Sequence, residues 1–125
     1  MKIMNSEISL VEKVGYVQYG IDHIPISEIT MPPKVILEMN NWKDVERIVF
    51  ETIMLLTNSG QNGILITGPQ LSKISKVSTP SVFNALRFLL QEGWILKEKY
   101  AAAGSPNIIF IDTNNIDKFS GDYTI

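Results

Sequence analysis

The sequence predicts a single α+β domain from its length, its composition and a change in the spacing of its apolar residues. At 125 residues the chain is long enough to bury one core and too short for two independent ones. Hydrophobic residues make up 45% and charged residues 19% of it, a balance typical of folded proteins. Apolar residues recur at helical spacing before Gly93 and alternate as in a strand after it.

The composition also limits the chemistry and the surroundings of the chain. It has no cysteine, which excludes disulfides and thiolate zinc sites. No stretch approaches the ~20 apolar residues of a membrane-spanning helix, and the first residues lack the apolar run of a secretory signal. We therefore expect a soluble, cytoplasmic protein without membrane contact.

Residues 1–40 are predicted to form an N-terminal, β-prone extension. Glycine and proline divide residues 8–30 into short β-prone pieces, which indicates two or three short strands or an extended arm. Residues 34–41 follow two prolines and could make about two turns of helix. The apolar stretches 3–17 and 35–39 are candidates for a dimer surface.

The first long helix is predicted from residue 42 or 43 to Thr57. Asn41 is its candidate N-cap, and the run NSGQNG at 58–63 ends it, because Asn and Gly tolerate the left-handed backbone. The β-branched run at 64–67 then predicts one short strand. The apolar residues at helical spacing are Val45, Ile48, Val49, Ile53 and Leu56.

Two further helices follow in close succession. The stretch GPQLSKISKVS at 68–78 predicts a short helix of about two turns, with Pro69 as a first helical residue. A longer helix follows, with Thr79 as N-cap and Pro80 as first helical residue. Only residues 75–79 separate the two. A connection of this length is typical of a helix-turn-helix.

After Gly93 the apolar period becomes two, and residues 94–112 predict a β-hairpin with a small-residue loop at 101–106. The order helix, strand, helix, turn, helix, hairpin is that of a winged helix-turn-helix. We assign this domain to residues 41–112 and regard residues 113–125 as a C-terminal tail.

The helix after the turn has a polar face that could read DNA. On a helical wheel Asn84, Arg87 and Gln91 lie opposite the apolar side that carries Val82 and Leu89. Amide and guanidinium groups match the hydrogen-bonding edges of adenine and guanine in the major groove, which admits a helix. Asn84 and Arg87 are the first candidates for base contacts. A polar face that only meets water is the alternative.

Contacts to phosphate are predicted around this face. The local charge favours them, since residues 69–106 hold five basic and two acidic residues, a net +3, whereas residues 1–68 carry −3 and residues 107–125 carry −2. A solvated hairpin edge is the alternative for the two strand lysines. The candidates are Ser78, Thr79 and Ser81 at the helix start, Lys73 and Lys76 before it, and Lys97 and Lys99 on the hairpin.

The sequence resembles known winged helices. The stretch QLSKISKVSTPSVFNALRFLLQEGWILKEK resembles regulators of the multiple-antibiotic-resistance type, a likeness that covers about residues 44–112. The later stretch IDTNNIDKFSGD, at 111–122, is similar to the plasmid replication initiators of the RepL type, although Asn115 stands where proline is usual. A plasmid partition protein with a winged-helix dimer fits the residues equally well.

No residue pattern indicates an enzyme. The only histidine is His23, and no cysteine accompanies it, so a catalytic triad or a metal cluster cannot be built around it. The glycine-containing run 58–63 lacks the lysine of a phosphate-binding loop. We expect no catalytic residue, no cofactor and no metal.

Together these observations predict a sequence-specific protein that binds double-stranded DNA as a homodimer, since paired half-sites supplement the few contacts of a small domain. Its role would be transcriptional regulation, plasmid partition or replication initiation. The alternative is a winged helix that contacts another protein and does not bind DNA, for which the net charge of −2 is the best argument.

Overall fold

The structure, a computed structural model, describes residues 15–17, 31–99 and 106–113. Over these ranges the chain has a mixed α+β architecture with four α-helices and one four-stranded sheet. The elements in chain order are β1 (Tyr16–Val17), α1 (Pro33–Met39), α2 (Asp44–Leu56), β2 (Gly63–Ile66), α3 (Gly68–Ser75), α4 (Thr79–Gln91), β3 (Ile95–Lys99) and β4 (Asn107–Ile111).

Several predictions fall wholly or mostly outside these residues. They are the arm over residues 1–14 and 18–30, His23, most of the loop at 101–106, and nearly all of the C-terminal tail. The helices that are described include none with the length and apolar character needed to cross a membrane.

The sheet has the order β1-β2-β4-β3. β3 and β4 form the predicted antiparallel hairpin, and β2 pairs antiparallel with β4. β1 adds to the other side of β2 in parallel, so one of the predicted N-terminal strand pieces is present as a two-residue strand. The short strand between α2 and α3 therefore ties the hairpin to the helices.

The two faces of the sheet have different neighbours. Ile64 and Ile109 are paired across β2 and β4 and join the main core, which the helices complete. Leu65, Ile108 and Phe110 point to the opposite face and form a second buried cluster. This alternation confirms the period of two that the sequence predicts for the hairpin.

Four aromatic rings fix the helices to the hairpin. The ring of Trp42, just before α2, lies 5.4 Å from those of Phe50, Phe88 and Trp94, each in an edge-to-face arrangement. Such pairs contribute about 0.5–1.5 kcal/mol each beyond the area they bury. Trp42 thereby joins α2, α4 and the start of β3. Phe88 is partly buried and packs against the core.

The connection from α2 to β2 is built around one buried hydroxyl. Thr57 is fully buried; its Oγ donates to the carbonyl of Ile53 at 2.8 Å and accepts from the N–H of Gly60 at 3.1 Å. Asn58, Ser59 and Gly60 then have φ of 54°, 57° and 88°. The predicted left-handed stop is thus confirmed.

Several predicted helix ends shift by one or two residues. α2 begins after Lys43, whose N–H donates to the Glu46 carboxylate at 2.9 Å, so Asn41 as N-cap is wrong. α3 begins at Gly68, so Pro69 is its second helical residue and not its first. The hydroxyl of Thr67 accepts from the N–H of Gln70 at 3.1 Å, and the Gln70 side chain accepts from the N–H of Thr67 at 2.9 Å. This reciprocal pair is a capping box.

Candidate nucleic-acid interface

The turn between α3 and α4 is three residues long and held by hydrogen bonds. Lys76 ends α3 in the left-handed conformation, with φ 63° and ψ 27°, and its N–H donates to the Ser72 carbonyl at 2.8 Å. The Ser72 hydroxyl donates to the carbonyl of Val77, and Val77 is buried. The angle between the two helices is therefore set by local bonds and by one apolar anchor.

The amino end of α4 is capped by Ser78. Its Oγ accepts from the N–H of Ser81 at 3.4 Å and donates to the Ser81 hydroxyl at 2.9 Å. Thr79 as N-cap is therefore wrong: it is the first helical residue, and Pro80 is the second. Serine and threonine both cap helices well. With Ser78 as the cap the helix starts one position earlier, and the hydroxyls of Ser78, Thr79 and Ser81 still lie at its amino end.

The polar face of α4 is exposed. Asn84, Arg87 and Gln91 meet solvent, while the residues on the opposite side, Val82, Ala85 and Leu89, are buried. Arg87 Nη1 donates to Asn84 Oδ1 at 3.0 Å. This bond uses one lone pair of the amide oxygen, so the amide retains an acceptor site and both of its donors. The pair presents amide and guanidinium groups side by side.

The hairpin carries its cations on the side that faces α4. Ile95, Lys97 and Lys99 share one face of β3; Ile95 lies in the core and the two lysines are exposed. The strand therefore changes from apolar to cationic as it leaves the helices. The β4 residues opposite this face also change from apolar to polar, from Ile109 opposite Lys97 to Asn107 opposite Lys99.

Arg87 and Lys97 line the same cleft, which has a volume of about 340 Å³ and lies between α4 and the hairpin. The predicted base-reading face and one of the predicted wing lysines thus border a single surface. Lys73 and Lys76 are exposed near the turn, next to the capped start of α4. Lys99 lies one step further along the strand face than Lys97.

Phe83 and Asn107 also belong to this surface and were not among the predicted contacts. The Phe83 side chain is 48% exposed, and its ring covers Gly68, where an added Cβ would lie 2.5 Å from Phe83 Cζ. Asn107 lines the cleft with Lys97. Strand alternation would have placed Asn107 on the face of Ile109, but the sequence did not show which face meets α4.

All ten sequence-predicted site residues lie within the described residues. No group of three or more histidine, cysteine, aspartate or glutamate side chains in this part of the chain is arranged to hold a metal ion. Comparison with protein-family models, with curated proteins and with solved structures finds no match.

The Gly93 turn joins α4 to β3 and sets their relative position. Gly93 has φ 81°, its N–H donates to the Leu90 carbonyl at 3.2 Å, and the Trp94 N–H donates to the Leu89 carbonyl at 2.8 Å. These bonds form a Schellman motif. The Asp112 N–H donates to the Trp94 carbonyl at 2.9 Å, which ties the end of the hairpin to its beginning.

Proposed function

We propose that the chain is a winged helix-turn-helix protein that binds double-stranded DNA, with α4 as the recognition helix and the β3–β4 hairpin as the wing. The order of elements and the pairing of β2 with β4 support this assignment, because they join a helix-turn-helix and a hairpin in one core. The resemblance to regulators of the multiple-antibiotic-resistance type agrees with it.

One observation carries the proposal: Arg87 of the exposed polar face and Lys97 of the hairpin line one cleft. A duplex that receives α4 in its major groove would meet the wing lysines at the same time. Asn84 and Arg87 would contact base edges, with Gln91 one turn further along. The side chains proposed to hold phosphates are Lys73, Lys76, Ser78, Thr79, Ser81, Lys97 and Lys99.

Local charge matters more to this binding than the net charge of −2. The segment 69–106 holds five basic and two acidic residues, a net +3. We propose a homodimer on paired half-sites, in a cytoplasmic role in transcriptional regulation, plasmid partition or replication initiation. No enzymatic activity is part of the proposal.

The test begins with the full chain and a mixed-sequence duplex at low and moderate salt. We expect binding that weakens linearly in a plot of log affinity against log salt. Lys97→Gln should reduce the slope by about one. The exposed Lys43, whose side chain makes no capping bond, provides the control: Lys43→Gln should leave the slope unchanged. Absence of binding at low salt would refute the proposal.

A second measurement addresses base reading. With a duplex selected from a random library, Arg87→Ala should weaken binding by about 1–3 kcal/mol and relax the preference at one base position. An unchanged affinity for the selected duplex would remove Arg87 from the base contacts. The rival function, a winged helix that binds a protein, is favoured by the exposed Phe83 ring, and it predicts no duplex binding at either salt concentration.

A further inference from the structure

Phe83 is the exposed large apolar side chain of α4, with 48% of its surface in water. The other large apolar side chains of the helix are buried or partly buried; they are Val82, Leu86, Phe88, Leu89 and Leu90. A single exposed apolar residue is ordinary on most of a protein surface. Its neighbours on this helix decide whether it has a role.

Those neighbours are the proposed base contacts. Phe83 directly precedes Asn84 and lies four residues before Arg87, and residues four apart share one face of a helix. Phe83 and Arg87 also line the same cleft. Phe83 is in the first half of α4, and in a helix-turn-helix the amino-terminal residues of the recognition helix contact base edges. The ring therefore belongs to the surface that would enter the major groove.

The start of α3 supports the ring from below. A Cβ added to Gly68 would lie 2.5 Å from Phe83 Cζ and 2.7 Å from Phe83 Cε1, so the end of the ring lies directly over the glycine backbone. Glycine at this position lets α4 carry an aromatic ring against α3. About half of the side chain stays in water, where an apolar group of a partner can reach it.

An exposed ring beside amide and guanidinium groups complements a particular feature of DNA. Amides and guanidinium groups form hydrogen bonds with adenine and guanine edges. Thymine also presents a methyl group in the major groove, which is recognised by apolar contact, and phenylalanine is among the side chains that make this contact. Covering the methyl group and the ring together removes apolar surface from water, which favours binding.

We propose that Phe83 reads the methyl group of a thymine in the bound duplex. The proposal rests on the proposed function and adds a base contact that hydrogen bonds do not supply. Four residues of helix span about 6 Å along its axis, and base pairs are about 3.4 Å apart. The thymine should therefore lie one or two base pairs from the base that Arg87 contacts.

The test uses the duplex selected from a random library. Each thymine of one half-site is replaced in turn by deoxyuridine, which pairs with adenine in the same way and lacks only the methyl group. Fluorescence anisotropy then measures the affinity of the full chain. We expect one thymine at which the replacement raises the dissociation constant about fourfold, which corresponds to about 0.8 kcal/mol for one buried methyl-sized group.

Two variants assign this difference to a side chain. Phe83→Ala should bind the thymine duplex and the deoxyuridine duplex with equal affinity at that position. The control Leu96→Ala removes a side chain that is also exposed, at 37%, but that alternates with Lys97 on β3 and so lies on the other strand face. This control should keep the fourfold difference.

The outcomes separate the thymine contact from DNA binding itself. If the parent binds the duplex but no thymine methyl group affects its affinity, or if Phe83→Ala keeps the difference, Phe83 is not the reader and the proposed function stands. A sensitive thymine more than two base pairs from the position that Arg87→Ala relaxes would also overturn the assignment. A parent chain that binds no duplex refutes the proposed function and the thymine contact together.

Discussion

Replacing Gly63 by alanine tests how tightly the second face of the sheet is packed. Gly63 lies in β2, where an added Cβ would be 2.5 Å from Phe110 Cε1 and 2.8 Å from Ile108 Cγ2. Both of these side chains are 2% exposed, so neither can turn into solvent to make room. Contacts under 3 Å between carbon atoms are repulsive, and the cluster must shift to relieve them.

The expected cost follows from this geometry. Overpacking by one methyl group in a rigid core costs about 1–3 kcal/mol, which at this chain length lowers Tm by about 4 °C for each kcal/mol. Chemical denaturation and thermal unfolding of Gly63→Ala, each followed by circular dichroism, measure the loss. An equal denaturation midpoint for variant and parent would contradict the packing argument.

Gly68 offers a matched control. Its added Cβ would also be 2.5 Å from an aromatic carbon, Phe83 Cζ, but the Phe83 side chain is 48% exposed and its ring can swing outward. Gly68→Ala should therefore change the free energy of unfolding by less than about 0.5 kcal/mol. If Gly68→Ala destabilises as much as Gly63→Ala, the cost does not depend on whether the neighbouring ring can move.

Two further variants, each with a matched control, test the turns by the same denaturation measurement. Lys76→Gly should stabilise the fold by about 0.5–1 kcal/mol, because Lys76 has φ 63° and glycine removes that strain. The control Lys73→Gly removes the same charge inside α3 and should destabilise the fold by about 1 kcal/mol. If both variants change the free energy of unfolding in the same direction, backbone strain at Lys76 is not the cause. Thr57→Val should lower the free energy of unfolding by about 1–3 kcal/mol, because it removes the buried acceptor of the Gly60 N–H. The control Thr52→Val loses only a half-exposed bond to the Ile48 carbonyl. An equally large loss of stability in Thr52→Val would contradict the argument from burial.

Local patterns in the sequence predicted most of the α+β arrangement. The helical spacing of apolar residues located α2 and α4 to within two residues, and the change of period at Gly93 located the hairpin. The capping box of α3 was missed: the β-branched run at 64–67 predicts a strand that includes Thr67, although Thr67 precedes Gln70 by the three residues that a capping box requires. At α4 two adjacent residues, Ser78 and Thr79, are both good caps, so spacing alone could not decide between them.

Features that depend on contacts between distant segments could not be predicted. The sequence predicted short strands within residues 8–30, but the two residues of β1 are too few for a periodic signal, and the parallel pairing of β1 with β2 could not be predicted. The cleft requires α4 and the hairpin in their final relation, so neither its volume nor the exposure of Phe83 follows from spacing. The hydrogen bond between Arg87 and Asn84 is compatible with their separation of three residues, but only the rotamers in the structure establish it.

The Gly93 turn has a consequence for how the proposed DNA-reading surface forms. The chain passes from α4 to β3 through one left-handed residue, and Trp94, directly after it, is wedged among the rings of Trp42 and Phe50. The Schellman bonds and these ring contacts hold the helix against the first strand of the hairpin. A duplex would find the polar face and the Lys97 cation already aligned, and little conformational entropy would be lost in bringing them together. Inserting a glycine after Gly93 would disrupt the bond from the Trp94 N–H to the Leu89 carbonyl and should therefore loosen this alignment and slow association, which stopped-flow binding would measure.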